Sequence, residues 1–504
     1  MSSLKKNILA SYATQIYVTL VGILILPLYL KYMGAEAYGL VGFFTMLQAW
    51  FNLLDMGLTP TVARETARFR GGATDALSYL RLLRGLQLIF CAIALLGGGV
   101  MFAFSGAIAE RWLNVQTLPL AQVELALQLM AVGVALRWMS GLYRGCISGA
   151  EHLVWLGGFN ALIASLRFLG VMPILIWIDS SPKTFFIYQT SIAIIEFAGL
   201  FLKTKKIKPK LLSTEFIGWA PKTLTITLRE NLGFSMSIAF TSSAWVIVSH
   251  TDKLLLSKFL SLSDYGYFTL ATLAASAVLL ITGPISSALV PRMTRLQAEN
   301  KEEELISLYC NATQLGTAIA TSACMMLVFF PEEIIFSWTG DKNIALHVAP
   351  ILQAYAIGNF LIALATFPYD LQLVKGDMKK HLQGNIIFIF FWIPSIAWST
   401  FKYQAIGAAY TWLVLNALYF LIWLPLVHHR FMKNFHWKWI LQDIAPIFLT
   451  GIFIALITRL TFNMPSTREG NLLFILTIGL LMTTLCLLLS TPGKKLITVF
   501  SKKI

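Results

Sequence analysis

Charge is what this sequence has least of. Asp, Glu, Lys and Arg make up 12% of the 504 residues, against 57% hydrophobic residues. A soluble domain carries about 25% charged residues, so this chain cannot clothe a water-facing surface. Cysteine is scarce too. Cys91, Cys146, Cys310, Cys324 and Cys486 all stand in apolar runs and no two form a CxxC. Neither a disulfide framework nor a thiolate metal site is implied, and small packing residues are the simplest reading. GxxxxGK[ST], HExxH and GxSxG are absent, which argues against an ATP-binding cassette and against the common hydrolytic centres. No cofactor and no metal is expected.

What is there instead is a series of apolar runs near 20 residues, the length that crosses a bilayer as a helix. Spans are expected at 8–30, 38–57, 79–104, 120–146, 153–178, 184–202, 235–258, 265–290, 304–330, 345–374, 384–401, 405–427, 443–462 and 471–490. The expected fold class is an all-α integral membrane protein of about fourteen transmembrane helices. The first run, Ile8 to Leu30, is too long for a signal-peptide core and has no small-x-small site after it, so it reads as a span. The loops on the outer side are short, which leaves no room for a catalytic domain there.

The net charge of +15 would suit a nucleic-acid partner, but its distribution points to a membrane. With the N-terminus inside, 28 Lys and Arg fall on the inner side and 8 on the outer, while Arg137, Arg167 and Lys253 lie within spans. Positive residues gather in short cytoplasmic loops. Both termini are therefore expected in the cytoplasm, with membrane lipids and no nucleic acid as partners.

The two halves repeat at an offset near 227. Lys31-Tyr32-Met33 followed by Tyr38-Gly39 is matched by Lys258-Phe259-Leu260 followed by Tyr265-Gly266. Val62-Ala63-Arg64 is matched by Val290-Pro291-Arg292, and Gly149 by Gly376. Phe104 and Trp112 keep the same separation as Phe330 and Trp338, and spans five and eleven carry Pro173 and Pro394. The expected domains are an N-terminal lobe at 1–202, a basic cytoplasmic linker at 203–230, a C-terminal lobe at 231–430, and a segment 431–504 holding two further helices and a basic tail. Six helices per lobe is an even number, so the repeat is parallel. Such a repeat places its substrate site at the lobe interface.

Ionisable groups cost roughly 2.5–3.5 kcal/mol each at the centre of a spanning helix on insertion scales, so they turn inward. Arg137 and Arg144 are two turns apart on one face of span four. Guanidinium groups bind phosphate bidentately, and Arg167 and Lys253 add to the same sign. Arg144 could equally snorkel to the inner headgroups, as Lys253 could to the outer ones. Asn52, Asp55, Glu196, His250 and Asp252 are candidates for cavity or coupling roles, with ion pairing or packing as the simpler alternatives. Gly141, Gly145 and Gly149 form a small-residue stripe on span four that permits close helix approach.

Three segments go further. "PLYLKYMGAEAYGL" at 27–40, "LLDMGLTPTVARETAR" at 53–68 and "GLYRGCISGAEH" at 141–152 resemble the polysaccharide transporter (Wzx-type) branch of the multidrug/oligosaccharidyl-lipid/polysaccharide exporter superfamily. "HTDKLLLSKFLSLSDYGYF" at 250–268 resembles the second-lobe counterpart. The resemblance implies a flippase of the bacterial inner membrane. Its substrate would be an undecaprenyl-pyrophosphate-linked oligosaccharide, moved from the cytoplasmic to the outer leaflet by alternating access through an electropositive cavity. Arg137, Arg144, Arg167 and Lys253 would line that cavity. It also implies a polymerase and glycosyltransferases of one pathway as partners, and coupling to an ion gradient or the membrane potential. The related lipid II flippase carries arginines in its first two helices. Here span one has none and span two offers Gln48, Asn52 and Asp55, which argues against lipid II. A cation-coupled drug or metabolite antiporter of the same superfamily is the alternative, and a membrane-embedded glycan-processing enzyme a more distant one.

Overall fold

The computed structural model describes residues 3–55, 57–209 and 243–491. Most of the expected linker, the start of the expected span 235–258 and the basic tail lie outside them. The described residues are helical, with a single bridge between Asn114 and Ser261. The chain divides into two units, Met1–Gly266 and Tyr267–Ile504.

In the first unit, α1 (Ser3–Leu24) and α2 (Leu26–Met33) form the first span, with Pro27 in the opening turn of α2. There the missing proline N–H is one that no helix would use. α3 (Ala35–Leu53) and α4 (Leu58–Arg70) follow, bent by 56°. Gly57 takes the left-handed conformation at this bend (φ 76°), where a side chain would be strained. Next come α5 (Ala76–Ala103) and α6 (Leu120–Gly149). α7 (Leu153–Phe168) breaks at Gly170 before α8 (Val171–Trp177), and α9 covers Pro182–Ile207. α10 occupies 243–259, and α11 (Leu262–Ser276) crosses the boundary between the units.

The glycine stripe on α6 is a packing surface. A Cβ on Gly145 would stand 2.8 Å from the Thr59 carbonyl oxygen, and one on Gly149 would collide with the carbonyl of Ala63. These glycines let α6 and α4 meet backbone to backbone. The two tyrosine–glycine motifs of the repeat meet as well. A Cβ on Gly39 would strike the Leu262 carbonyl, and one on Gly266 would lie 2.8 Å from the Ala35 oxygen.

The second unit continues with α12 (Thr282–Ala298), α13 (Glu302–Phe329) and a short α14 (Pro331–Thr339). α15 (Lys342–Lys375) is its most buried helix and ends on Gly376, left-handed at φ 70°. α16 (Lys379–Leu418) breaks at Gln404 (φ 52°, ψ −135°) and leads into α17 (Leu424–Phe431). α18 (His436–Trp439) passes through a wider turn into α19 (Ala445–Thr461), and α20 spans Arg468–Leu489. Trp412 stacks on Tyr355, meets Trp392 edge to face, and donates to Asn359 at 3.0 Å.

Among the described residues, eleven helices are long and apolar enough to cross a membrane, twelve when bent α3–α4 is one span. Two features separate this from the expected fourteen. The expected spans 384–401 and 405–427 form one continuous run, Lys379–Phe431, interrupted only at Gln404. The expected span 235–258 is described only from residue 243.

Candidate functional site

Four elements of the first unit bring their polar side chains together. Arg137 projects from α6 and lies over the Phe44 ring of α3, 5.0 Å from its centroid. Its two terminal nitrogens donate to the side-chain oxygens of Gln48 at 3.1 Å and Gln189 at 3.2 Å. Two turns along α6, Arg144 donates to Asn160 on α7 and to Glu196 on α9, both at 2.5 Å. The spacing is shared: Gln189 and Glu196 are seven apart on α9, as Arg137 and Arg144 are on α6. The two helices run in the same direction, so each arginine finds its partner at the same register.

Arg167 reaches this group because α7 ends beside it. The break at Gly170 leaves the Arg167 and Phe168 carbonyls without helical partners. Gln189 donates to the first at 2.9 Å and the Tyr29 hydroxyl donates to the second at 3.0 Å. Gln189 thus fixes Arg137 with one end and the backbone of Arg167 with the other. The Arg167 guanidinium stands over Phe168, 5.3 Å from the ring centroid. Arg137, Arg144, Arg167 and Glu196 all interact electrostatically.

The charge balance is uneven, with three guanidinium groups sharing one carboxylate. One oxygen of Glu196 pairs with Arg144, and its other oxygen is buried without a hydrogen-bond partner among the described residues. The partners of Arg137 are neutral amides, and the Nε atoms of Arg137 and Arg167 are buried without a hydrogen-bond partner among the described residues. The face shared by Arg137 and Arg144 thus holds one ion pair, while Arg137 and Arg167 have no carboxylate hydrogen-bonded to them among the described residues.

The other candidates have different neighbours. Asp55 sits at the α3–α4 bend, where its carboxylate accepts from the Thr59 backbone N–H at 3.1 Å and the Thr59 hydroxyl at 2.6 Å. Asp55 thus holds the first turn of α4 from two residues before its N-cap, Gly57. Asn52 is exposed. On α10, Lys253 donates to the Ser249 carbonyl at 2.8 Å, Asp252 is buried with an oxygen on the Lys253 N–H, and the Nδ1 of His250 is buried. No hydrogen bond among the described residues joins His250 or Lys253 to the arginines.

Sequence reasoning missed Gln189 and Asn160, whose only signal is the seven-residue spacing shared with the arginines. It also missed Glu36. Buried at the start of α3, Glu36 accepts from the backbone N–H groups of Gln116 (2.5 Å), Thr117 (2.9 Å) and Leu118 (3.1 Å) and from the Thr117 hydroxyl. It ties α3 to the connection before α6. Close by, Trp112 donates to Ser257 of α10 at 3.0 Å.

A family model described as polysaccharide biosynthesis protein matches residues 4–297, more than half of the chain and all the elements of this site. The chain belongs to that family. A Shigella flexneri protein assigned as an O-antigen transporter is 20% identical over 408 residues, covering 79% of this chain and 92% of its own. The fold is that of the lipid II flippase MurJ in an inward closed conformation, with a TM-score of 0.70 at 16% identity over 97% of this chain and 100% of that one. An inward-facing multidrug resistance transporter of the MATE family and MOP superfamily gives 0.61 at 15% identity over 82% and 94%. With family and apolar helices together, the chain is a multi-pass inner-membrane protein.

Proposed function

We propose that this family member is a flippase that carries a lipid-linked oligosaccharide of surface-polysaccharide type across the inner membrane, its diphosphate held by Arg137 and Arg167. The observation that carries the reading is the three-to-one balance of guanidinium groups and carboxylate within spanning helices. Each uncompensated charge there costs roughly 2.5–3.5 kcal/mol on insertion scales. An anionic ligand offsets that cost when it binds, and the forked geometry of arginine suits phosphate oxygens. Aimed by Gln48 and Gln189, Arg137 is pre-oriented for such a ligand, while Arg144 and Glu196 fix the frame.

On this reading the prenyl-linked substrate enters from the cytoplasmic leaflet and both chain termini face the cytoplasm, as the asymmetry of 28 basic residues against 8 supports. The crossings number fourteen if Lys379–Phe431 is two spans divided at Gln404. Arg137→Ala is expected to stop surface-glycan export while membrane levels of the protein stay normal. Unchanged surface glycan in that variant would sink the role. Arg137→Lys separates charge from geometry: it keeps the charge and loses the fork.

The likeness in fold to a multidrug transporter favours a second reading, cation-coupled antiport. That mechanism needs an acidic group free to exchange a cation, and one oxygen of Glu196 is held by Arg144. Drug resistance on overexpression, with surface glycan unchanged, would support it over flipping.

A further inference from the structure

The end of α7 is held by more than Gln189. Its break has a cause in the sequence. Pro173 has no N–H for the Leu169 carbonyl, and its ring crowds that oxygen. The Met172 N–H reaches Leu169 at 3.1 Å, and the Gly170 N–H passes over Leu166 to Ser165 at 3.0 Å. Three consecutive carbonyls at this end, those of Leu166, Arg167 and Phe168, accept from side chains of other helices. The Tyr188 hydroxyl of α9 donates to Leu166 at 2.8 Å, the Gln189 amide of α9 to Arg167 at 2.9 Å, and the Tyr29 hydroxyl of α2 to Phe168 at 3.0 Å. Helix carbonyls freed within a bilayer need such donors, since no water replaces them there.

The donors are themselves held in place. Tyr29 is fully buried and meets Phe185 edge to face, with ring centroids 5.2 Å apart. A Cβ on Gly170 would collide with the Tyr188 hydroxyl, so the glycine at the break makes room for that donor. Tyr29 interacts electrostatically with both Arg167 and Tyr188. One hydrogen bond would satisfy one carbonyl and leave the turn free to rotate. Three on successive residues, from two helices, fix both its tilt and its rotation, and Arg167 belongs to that turn.

We infer that Tyr29 and Tyr188 are positioning residues for Arg167. By clasping the broken end of α7 they set the direction in which its guanidinium points. That the guanidinium meets the diphosphate of a lipid-linked substrate rests on the flippase reading; the clasp itself does not.

The test is binding of radiolabelled farnesyl diphosphate to the full chain in lipid nanodiscs, with amide hydrogen exchange across residues 166–172 measured without the probe. Tyr29→Phe and Tyr188→Phe keep the ring and remove the donor. Each is expected to weaken binding about fivefold, the scale of one hydrogen bond, and to speed exchange at 166–172. Tyr17→Phe removes a hydroxyl contact to Ser165 of the same helix, at 2.7 Å, and is expected to leave binding unchanged. In an Arg167→Ala background, Tyr29→Phe is expected to have no further effect on binding, because residues that act through one another are not additive. Wild-type binding in both tyrosine variants, unchanged exchange at 166–172, an equal loss in Tyr17→Phe, or a full additional loss in the Arg167→Ala background would each overturn the inference. Wild-type binding in Arg167→Ala alone would instead overturn the diphosphate reading at that residue, and the exchange rates would still decide the clasp.

Discussion

Where α6 carries Arg137 and Arg144, α15 carries Leu364 and Leu371 at the same distances before its closing glycine. Both leucines are fully buried. Among the described residues of the second unit, several buried polar pairs join neutral or acidic groups, and its arginine pair Arg459–Glu333 lies near one end of α19. Ser286 donates to Asp370 at 2.6 Å, Gln314 donates to Asp443 at 2.6 Å, and the Tyr309 hydroxyl, His428 and His436 form a hydrogen-bonded row. The two units thus have interiors of different chemistry. Helix packing needs only small residues and apolar volume at the contacts, so two helical units of one chain can differ in their buried charges without differing in how their helices pack.

The largest stability effect tests the ion pair that distinguishes the first copy. Removing one partner of a buried pair costs about 3–5 kcal/mol. Arg144 keeps 32% side-chain exposure, so water recovers part of its hydration and about 2–3 kcal/mol is expected for Glu196→Gln. Thermal unfolding of the purified protein in nanodiscs would read this as a clear fall in Tm. The double change Arg144→Leu with Glu196→Leu gives copy one an apolar interior like that of copy two and is expected to recover most of the loss. An unchanged Tm in Glu196→Gln would mean that the pair does not hold α6 to α9.

The next effect separates two glycines that the repeat aligns. Gly149 has no room for a Cβ because the Ala63 carbonyl is there, whereas Gly376 has open space and needs glycine only for its left-handed backbone. Gly149→Ala must push α4 and α6 apart, an overpacking cost of about 1–3 kcal/mol. Gly376→Ala pays only for the left-handed conformation, about 1 kcal/mol. Folded yield and Tm should rank the two in that order. The reverse order would show that the α4–α6 contact yields more easily than the α15 cap.

Much of this was legible in the sequence because each spanning helix obeys a local rule: apolar length, with ionisable groups exceptional. That rule singled out Arg137, Arg144, Arg167 and Glu196, and the structure gathers all four. It could not show that Glu196 neutralises Arg144 and leaves the other two, because the partner lies 52 residues away on another helix. Gln48, Asn160 and Gln189 carry no charge to flag them, although the matched seven-residue spacing on α6 and α9 was there to be found. The merged run at Lys379–Phe431 hides a boundary that hydropathy placed at 401–405, since one reversed residue, Gln404, breaks the helix without a polar loop. Asp55 carries a second signal beside its charge: the Asp-x-Gly sequence just before α4 marks a turn, and its carboxylate accepts from Thr59 there.

The smallest expected effect returns to Asp55 and again compares the copies. In copy one the chain bends by 56° before α4, and Asp55 satisfies the first turn. In the second unit α11 runs into α12 through a short turn of three-residue helix, and no carboxylate holds the first turn of α12 as Asp55 holds that of α4. Asp55→Ala is therefore expected to cost about 1 kcal/mol, and Asp55→Asn, which keeps an acceptor oxygen, less. Thr282→Val at the start of α12 gives up one long bond to Leu279 at 3.2 Å and is expected to change Tm least. Export should follow stability in this series. If Asp55→Asn abolished export while Tm stayed at the wild-type value, the carboxylate charge itself would be at work. The bend before α4 would then belong to the coupling machinery as well as to the frame.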